Sequence, residues 1–181
     1  MHIEERVRSL GEVDHASLKA KVLTLDEEVW HLDTLRDAQP QRKAVNSVVL
    51  VFCNGWQPIR VERRSGWDYL NEQVMPLANA IIEQHYQPGG QFLRIMVARL
   101  TVGGTIQPHI DQHPSFAVGH RIHVPLITNN AVEFVVDDQP VLMKEGQAYE
   151  LNNLLPHSVF NGGKEDRMHL IFDYMDPQQA Q

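Results

Sequence analysis

The sequence predicts a mainly β protein, a jelly roll preceded by a helical N-terminal part. From Gln91 onward, short apolar stretches alternate with turn signals, and eight candidate strands fit into about 85 residues. Before Gln91, the longest periodic segment has the spacing of a helix instead. The 181 residues suit a single domain, long enough to bury a real core. Within it, residues 1–90 form the helical or mixed part and residues 91–176 the jelly-roll core.

Residues 1–43 are polar and broken, with a short helix predicted over 26–32 (DEEVWHL) behind an acidic first turn. AVNSVVLVF (44–52) is dense in β-branched residues and reads as a buried strand. Asn54-Gly55, Pro58 and Gly66 mark turns. Over 67–86, Leu70, Val74, Leu77 and Ile81 recur on one helical face, and Pro76 inside that pattern predicts a kink or break. Pro88-Gly89-Gly90 ends the segment. The strand candidates that follow are 91–102, 105–111, 121–127, 131–137, 140–143, 147–151, 157–160 and 167–174. Gly103-Gly104, Pro114, Asn129-Asn130, Asp137-Asp138, Glu145-Gly146, Asn152-Asn153 and Gly162-Gly163 separate them. Two sheets built this way can enclose a small-ligand site.

Composition narrows the function classes. A formal net charge of −7 argues against a nucleic-acid footprint. The densest basic stretch, Arg60, Arg63 and Arg64, is interrupted by Glu62 and reads as a solvated loop. No segment approaches the roughly 20 apolar residues of a membrane helix. The N-terminus MHIEERVRSL lacks the apolar region of a secretory signal. One cysteine, Cys53, cannot form an internal disulfide, so a cytoplasmic location is expected.

Six of the ten histidines lie after residue 100: His109, His113, His120, His123, His157 and His169. In Pro108-His109-Ile110-Asp111, an extended strand would turn His109 and Asp111 to the same face. His157 follows forty-six residues after Asp111, in Leu155-Pro156-His157. Two histidines and one carboxylate make the facial set that holds iron(II) with open positions, although zinc accepts the same ligands. Arg167 begins a strand in which Met168, Leu170 and Phe172 alternate with Arg167, His169 and Ile171. An inward arginine needs an anionic partner, and a dicarboxylate cosubstrate would supply one through bidentate hydrogen bonds. In Arg121-Ile122-His123-Val124-Pro125-Leu126, Arg121 and His123 likewise share one face. A structural salt bridge is the simpler reading of either arginine alone; beside the triad, an anion site is favoured.

These motifs resemble the aspartyl/asparaginyl β-hydroxylases and the related free-proline hydroxylases of the same cupin-like class. The matching segments run in order as PHID (108–111), RIHVPL (121–126), EGQAYELNN (145–153), PHSVFN (156–161) and RMHLIFD (167–173). The resemblance implies a double-stranded β-helix that uses Fe(II), 2-oxoglutarate and O2. His109, Asp111 and His157 would be the metal ligands and the catalytic centre. Arg167 would bind the distal carboxylate of 2-oxoglutarate, with Arg121 and His123 near the carboxylate closer to the metal. Two positions depart from the animal protein hydroxylases: Asp111 stands where they have glycine, and Ala98 aligns with a serine that helps hold their cosubstrate.

The expected activity is hydroxylation of an aspartyl or asparaginyl side chain or of a free amino acid. The expected partner is a small amino acid or peptide, with no nucleic acid and no membrane. The alternatives are a cupin-type metal- or metabolite-binding protein without redox chemistry, and a zinc- or manganese-dependent hydrolase or isomerase at the same triad. His113 and His120, flanking the loop after PHID, are candidates for substrate contact. The segments 31–43 and 53–66 are candidates for substrate selection.

Overall fold

The computed structural model describes residues 3–33 and 44–179. Its elements are β1 (Val7–Glu12), α1 (Ala16–Val22), β2 (Val45–Gly55), β3 (Arg60–Arg63), α2 (Trp67–His85), β4 (Gln91–Leu100), β5 (Thr105–His109), β6 (His120–Ile127), β7 (Val132–Val136), β8 (Gln139–Val141), β9 (Gln147–Leu151), β10 (His157–Asn161) and β11 (Arg167–Met175). Short 3₁₀ turns cover Glu27–His31, Pro114–Ala117 and Pro177–Gln179.

The strands form an antiparallel seven-stranded sheet, β1-β9-β6-β11-β4-β2-β3, and a four-stranded sheet, β5-β10-β7-β8. The chain crosses between the two sheets repeatedly, which is the jelly-roll arrangement. The described residues are mostly β with few helices.

Alternation along the large sheet produces two cores. Ile122, Val124 and Leu126 of β6 and Met168, Leu170 and Phe172 of β11 face outward and pack with the apolar stripe of α2. That stripe is Leu70, Val74, Leu77, Ala78, Ile81 and Ile82. Removing each larger aliphatic side chain from water contributes about 1.5–3 kcal/mol. Between the sheets, Leu100, Phe134, Val136, Tyr149, Leu151 and Val159 form a second cluster. The residues opposite β6 and β11's outward set, including Arg121, His123 and Arg167, therefore face the space between the sheets.

Several local expectations are corrected. α2 runs unbroken through Pro76. The proline ring sits on the exposed side of the helix, where water can hydrogen-bond the carbonyl left without a partner, and the buried stripe anchors both halves. The polar, broken stretch predicted for 1–43 contains β1 and α1. Only Leu10 of β1 is buried, so the strand carries no periodic signal and forms by pairing with β9. Residues 27–31 form a 3₁₀ turn. Residues 34–43, most of one segment expected to select substrate, lie outside the described residues.

Candidate active site

His109 ends β5 and His157 opens β10, and the two are register partners across the small sheet. Their ring centroids are 4.4 Å apart. Both rings are oriented by the same local device. His109 Nδ1 lies 2.8 Å from the carbonyl of Gln107, and His157 Nδ1 lies 2.9 Å from that of Leu155. A carbonyl only accepts, so each Nδ1 carries the proton and each Nε2 presents a lone pair. Burial lowers the His157 pKa to about 4, against the opposing pull of Asp111, so its imidazole is neutral at neutral pH.

β5 stops at His109, so Asp111 is not a second residue of that strand, as the spacing suggested. It sits in the loop beyond, its amide donating to the carbonyl of Asn153 at 3.3 Å. Its Oδ1 lies 3.9 Å from His109 Nε2 and its Oδ2 4.0 Å from His157 Nε2. The three prospective ligand atoms lie within 4.8 Å of one another. Two imidazole nitrogens and one carboxylate oxygen form a donor set suited to a divalent metal.

Arg121 departs from the expectation of a cosubstrate contact. Its Nη1 donates to Asp111 Oδ2, while Nε and Nη2 donate to the two oxygens of Asp173 at 2.8 and 2.9 Å. Burial disfavours the guanidinium, but the carboxylates of Asp111 and Asp173 outweigh this and raise its pKa. Arg121 thus braces the Asp111 carboxylate. Asp173 also accepts from Arg94 Nη1 at 3.3 Å. Neither Asp173 nor Arg94 is among the residues the motifs single out. The legible signal was a charge within an apolar strand at each position, Arg94 in QFLRIMVARL and Asp173 in RMHLIFDYM.

The cavity between the sheets has an empty volume of about 620 Å³, including its open side. His109, His157 and Arg121 line it with His123 and Arg167, between apolar walls that include Met96, Leu100 and Phe134. Ala98 lines it too, at the position aligned with serine. Arg167 is 2 % exposed, and among the described residues no carboxylate pairs with it. Its Nη2 donates to His169 Nδ1 at 2.7 Å, and its Nε has no partner. Burial depresses its pKa to about 9, which still leaves it charged at neutral pH. Both ring nitrogens of His123 and Nε2 of His169 also lack partners. Burial and the nearby Arg167 hold both histidines well below their ordinary pKa, hence neutral. Enclosed donors without acceptors, clustered around a cation, fit an anionic organic ligand.

The remaining candidates separate. His113 belongs to the site's outer wall: Ser115 Oγ lies 2.8 Å from its Nδ1 and accepts from Arg94 at 2.6 Å. Trp56 lies edge-on to His113, and Phe116 covers the guanidinium groups of Arg94 and Arg121. His120 points to the opposite face of the large sheet, between Glu150 at 2.7 Å and Asp176 at 3.2 Å, away from the cavity. Asn161 of β10 donates to the carbonyls of Leu100 and Glu165 and so secures a turn.

Comparison with known proteins agrees with this architecture. L-proline cis-4-hydroxylase of Rhizobium meliloti is 29 % identical over 101 residues, covering 55 % of this chain and 35 % of that enzyme. The match thus spans about a third of the relative's length. Among solved structures, a prolyl hydroxylase from Trichoplax adhaerens, in complex with a hypoxia inducible factor peptide fragment, superposes with a TM-score of 0.57 at 14 % identity. That alignment covers 98 % of this chain and 86 % of the other. An oxidoreductase of the 2OG-Fe(II) oxygenase family from Burkholderia pseudomallei gives a TM-score of 0.55 at 14 % identity, over 72 % of this chain and 67 % of the other. These structures share the fold. The family model for aspartyl/asparaginyl beta-hydroxylase matches residues 14–177, and the chain belongs to that family.

Proposed function

We propose that the protein is a 2-oxoglutarate- and Fe(II)-dependent dioxygenase that hydroxylates an amino acid, free or in a short peptide. The observation that carries this reading is Arg167: a buried guanidinium without a carboxylate partner among the described residues, lining the same cavity as His109 and His157, the two histidines grouped with Asp111. A buried cation left unpaired is costly, and a dicarboxylate bound at the metal would satisfy it.

In this assignment His109, Asp111 and His157 would hold iron(II). Arg167 binds the distal carboxylate of 2-oxoglutarate, and His123 offers a neutral ring to the same ligand. With dioxygen, the loaded centre supplies oxidative decarboxylation of 2-oxoglutarate to succinate and carbon dioxide, coupled to hydroxylation of a C–H bond. The chain's own groups prepare it. The carbonyls of Gln107 and Leu155 keep each Nε2 free for the metal. Arg121, clamped by Asp173, holds the Asp111 carboxylate in place. The apolar walls limit water around the bound cosubstrate.

The relative that acts on L-proline supports a small amino-acid substrate, and the enclosed cavity favours a small substrate over a large folded one. We place the enzyme in the cytoplasm, as a single oxygenase domain. In support, the single cysteine, Cys53, is buried and free.

The test is succinate release from 2-oxoglutarate by purified protein with iron(II) and ascorbate, followed by a substrate screen of amino acids and Asp/Asn peptides for a 16-dalton mass gain. His109→Ala and Asp111→Ala should each abolish both metal binding and succinate release. Succinate release undiminished in either variant sinks the assignment. Metal binding without 2-oxoglutarate affinity would identify a non-redox binding protein instead.

A further inference from the structure

We infer that His169 is a positioning residue for Arg167, selecting ligands that carry a distal carboxylate; this deepens the proposed function and rests on it. β11 turns Arg167, His169, Ile171 and Asp173 to its inner face. Arg167 and Ile171 line the cavity, whereas His169 is 1 % exposed and absent from the cavity lining. It touches the guanidinium directly, with Nη2 and Nδ1 2.7 Å apart.

An arginine has only donors, so His169 Nδ1 accepts and its proton resides on Nε2. The ring is thereby held as one neutral tautomer. That tautomer takes one Nη2 proton out of play and sets the plane of the guanidinium, leaving Nε without a protein partner. A guanidinium with a fixed plane and free N–H groups is prepared for bidentate contact with a carboxylate. Among the described residues, the rest of the environment supplies no competing anion. His123 stands edge-on to His169 at 5.8 Å, Arg167 lies over Phe134 at 5.7 Å, and both rings of the histidine pair are neutral.

Packing alone does not account for a histidine here. Nε2–H is buried without an acceptor among the described residues, an arrangement that an apolar side chain of similar size would avoid. What the imidazole provides, and an apolar ring cannot, is the acceptor for Arg167.

The experiment compares wild type, His169→Phe and His169→Asn, loaded with zinc(II) without oxygen. Binding of 2-oxoglutarate and of 2-oxobutyrate, which lacks the distal carboxylate, is measured by titration calorimetry. Wild type should prefer 2-oxoglutarate. His169→Phe should weaken 2-oxoglutarate binding roughly tenfold or more while leaving 2-oxobutyrate unchanged. His169→Asn, whose Oδ1 can stand in for Nδ1, should recover most of the loss. Equal weakening for both keto acids, or none, overturns the inference while leaving the proposed function intact. Wild type that binds neither keto acid overturns the proposed function and the inference with it. Should His169→Phe fail to fold, ¹⁵N spectra of the wild-type imidazoles decide. His169 must show protonated Nε2 and unprotonated Nδ1 through neutral pH, and the reverse tautomer refutes the role.

Discussion

At the scale of single residues, the site depends on a chain of charges more than on the proposed metal ligands alone. Asp111, Arg121, Asp173 and Arg94 are all buried and alternate in sign. Their mutual pairing lets a carboxylate sit inside the protein, ionised and aimed at the two histidines, without an uncompensated charge. Asp173 is the hub, since it accepts from both arginines. Asp173→Ala should lower stability by about 3 kcal/mol, because two buried guanidinium groups lose a shared carboxylate, Arg121 keeping Asp111 and Arg94 keeping Ser115. Urea denaturation reads that loss directly. The same variant should bind zinc(II) more weakly, measured by competition with a chromogenic chelator, although Asp173 touches no metal-facing atom. Metal affinity equal to wild type in folded Asp173→Ala would show that Arg121 holds Asp111 without it.

At the scale of elements, α2 shows packing overriding a local signal. Pro76 removes one main-chain hydrogen bond from a 19-residue helix, yet the helix continues because six buried side chains hold it along one face. Pro76→Ala restores the missing donor on the exposed side. It should stabilise the protein by about 1–2 kcal/mol net, since the alanine chain also gains freedom when unfolded. A higher urea midpoint with an unchanged slope is the expected result. The converse holds for β1, whose sequence carries little intrinsic preference and whose conformation is supplied by β9.

For the whole molecule, the N-terminal part is tied to the sheet by charge as well as by apolar contact. Arg99 of β4 donates to both oxygens of Glu27 in the first 3₁₀ turn, with its guanidinium over the Trp30 ring. Hydrogen bonding to Arg99 holds the Glu27 pKa at about 2, below its ordinary 4.5. A carboxyl group with a depressed folded-state pKa contributes stability that is complete above pH 4.5 and fades as pH falls towards 2. Glu27→Gln should therefore lose less stability than wild type over that interval. Because Glu27 is exposed, solvent and salt screen the pair, and the difference should shrink in high salt. Urea unfolding at pH 5, 4 and 3, with and without added sodium chloride, checks both expectations.

Much of this was legible in the chain itself. Period-two alternation in RIHVPL and RMHLIFD determined which side chains would face inward, because a strand permits only two faces. Glycine and asparagine pairs located nearly every turn of the β core. His109, Asp111, His157 and Arg167 could be singled out because PHID, PHSVFN and RMHLIFD follow one another in the order and spacing that resemble the hydroxylase family. Only the tertiary structure decided how those inward groups pair. Arg121 could have served a ligand or a neighbour, and its two aspartate partners come from positions ten residues before it and fifty-two after it. His169 shares a strand face with Arg167 in the sequence, but only the structure sets the two 2.7 Å apart. The distinction is physical: side-chain direction is local and follows from backbone geometry, whereas hydrogen-bond partnership is non-local and is settled when strands distant in sequence close on one cavity.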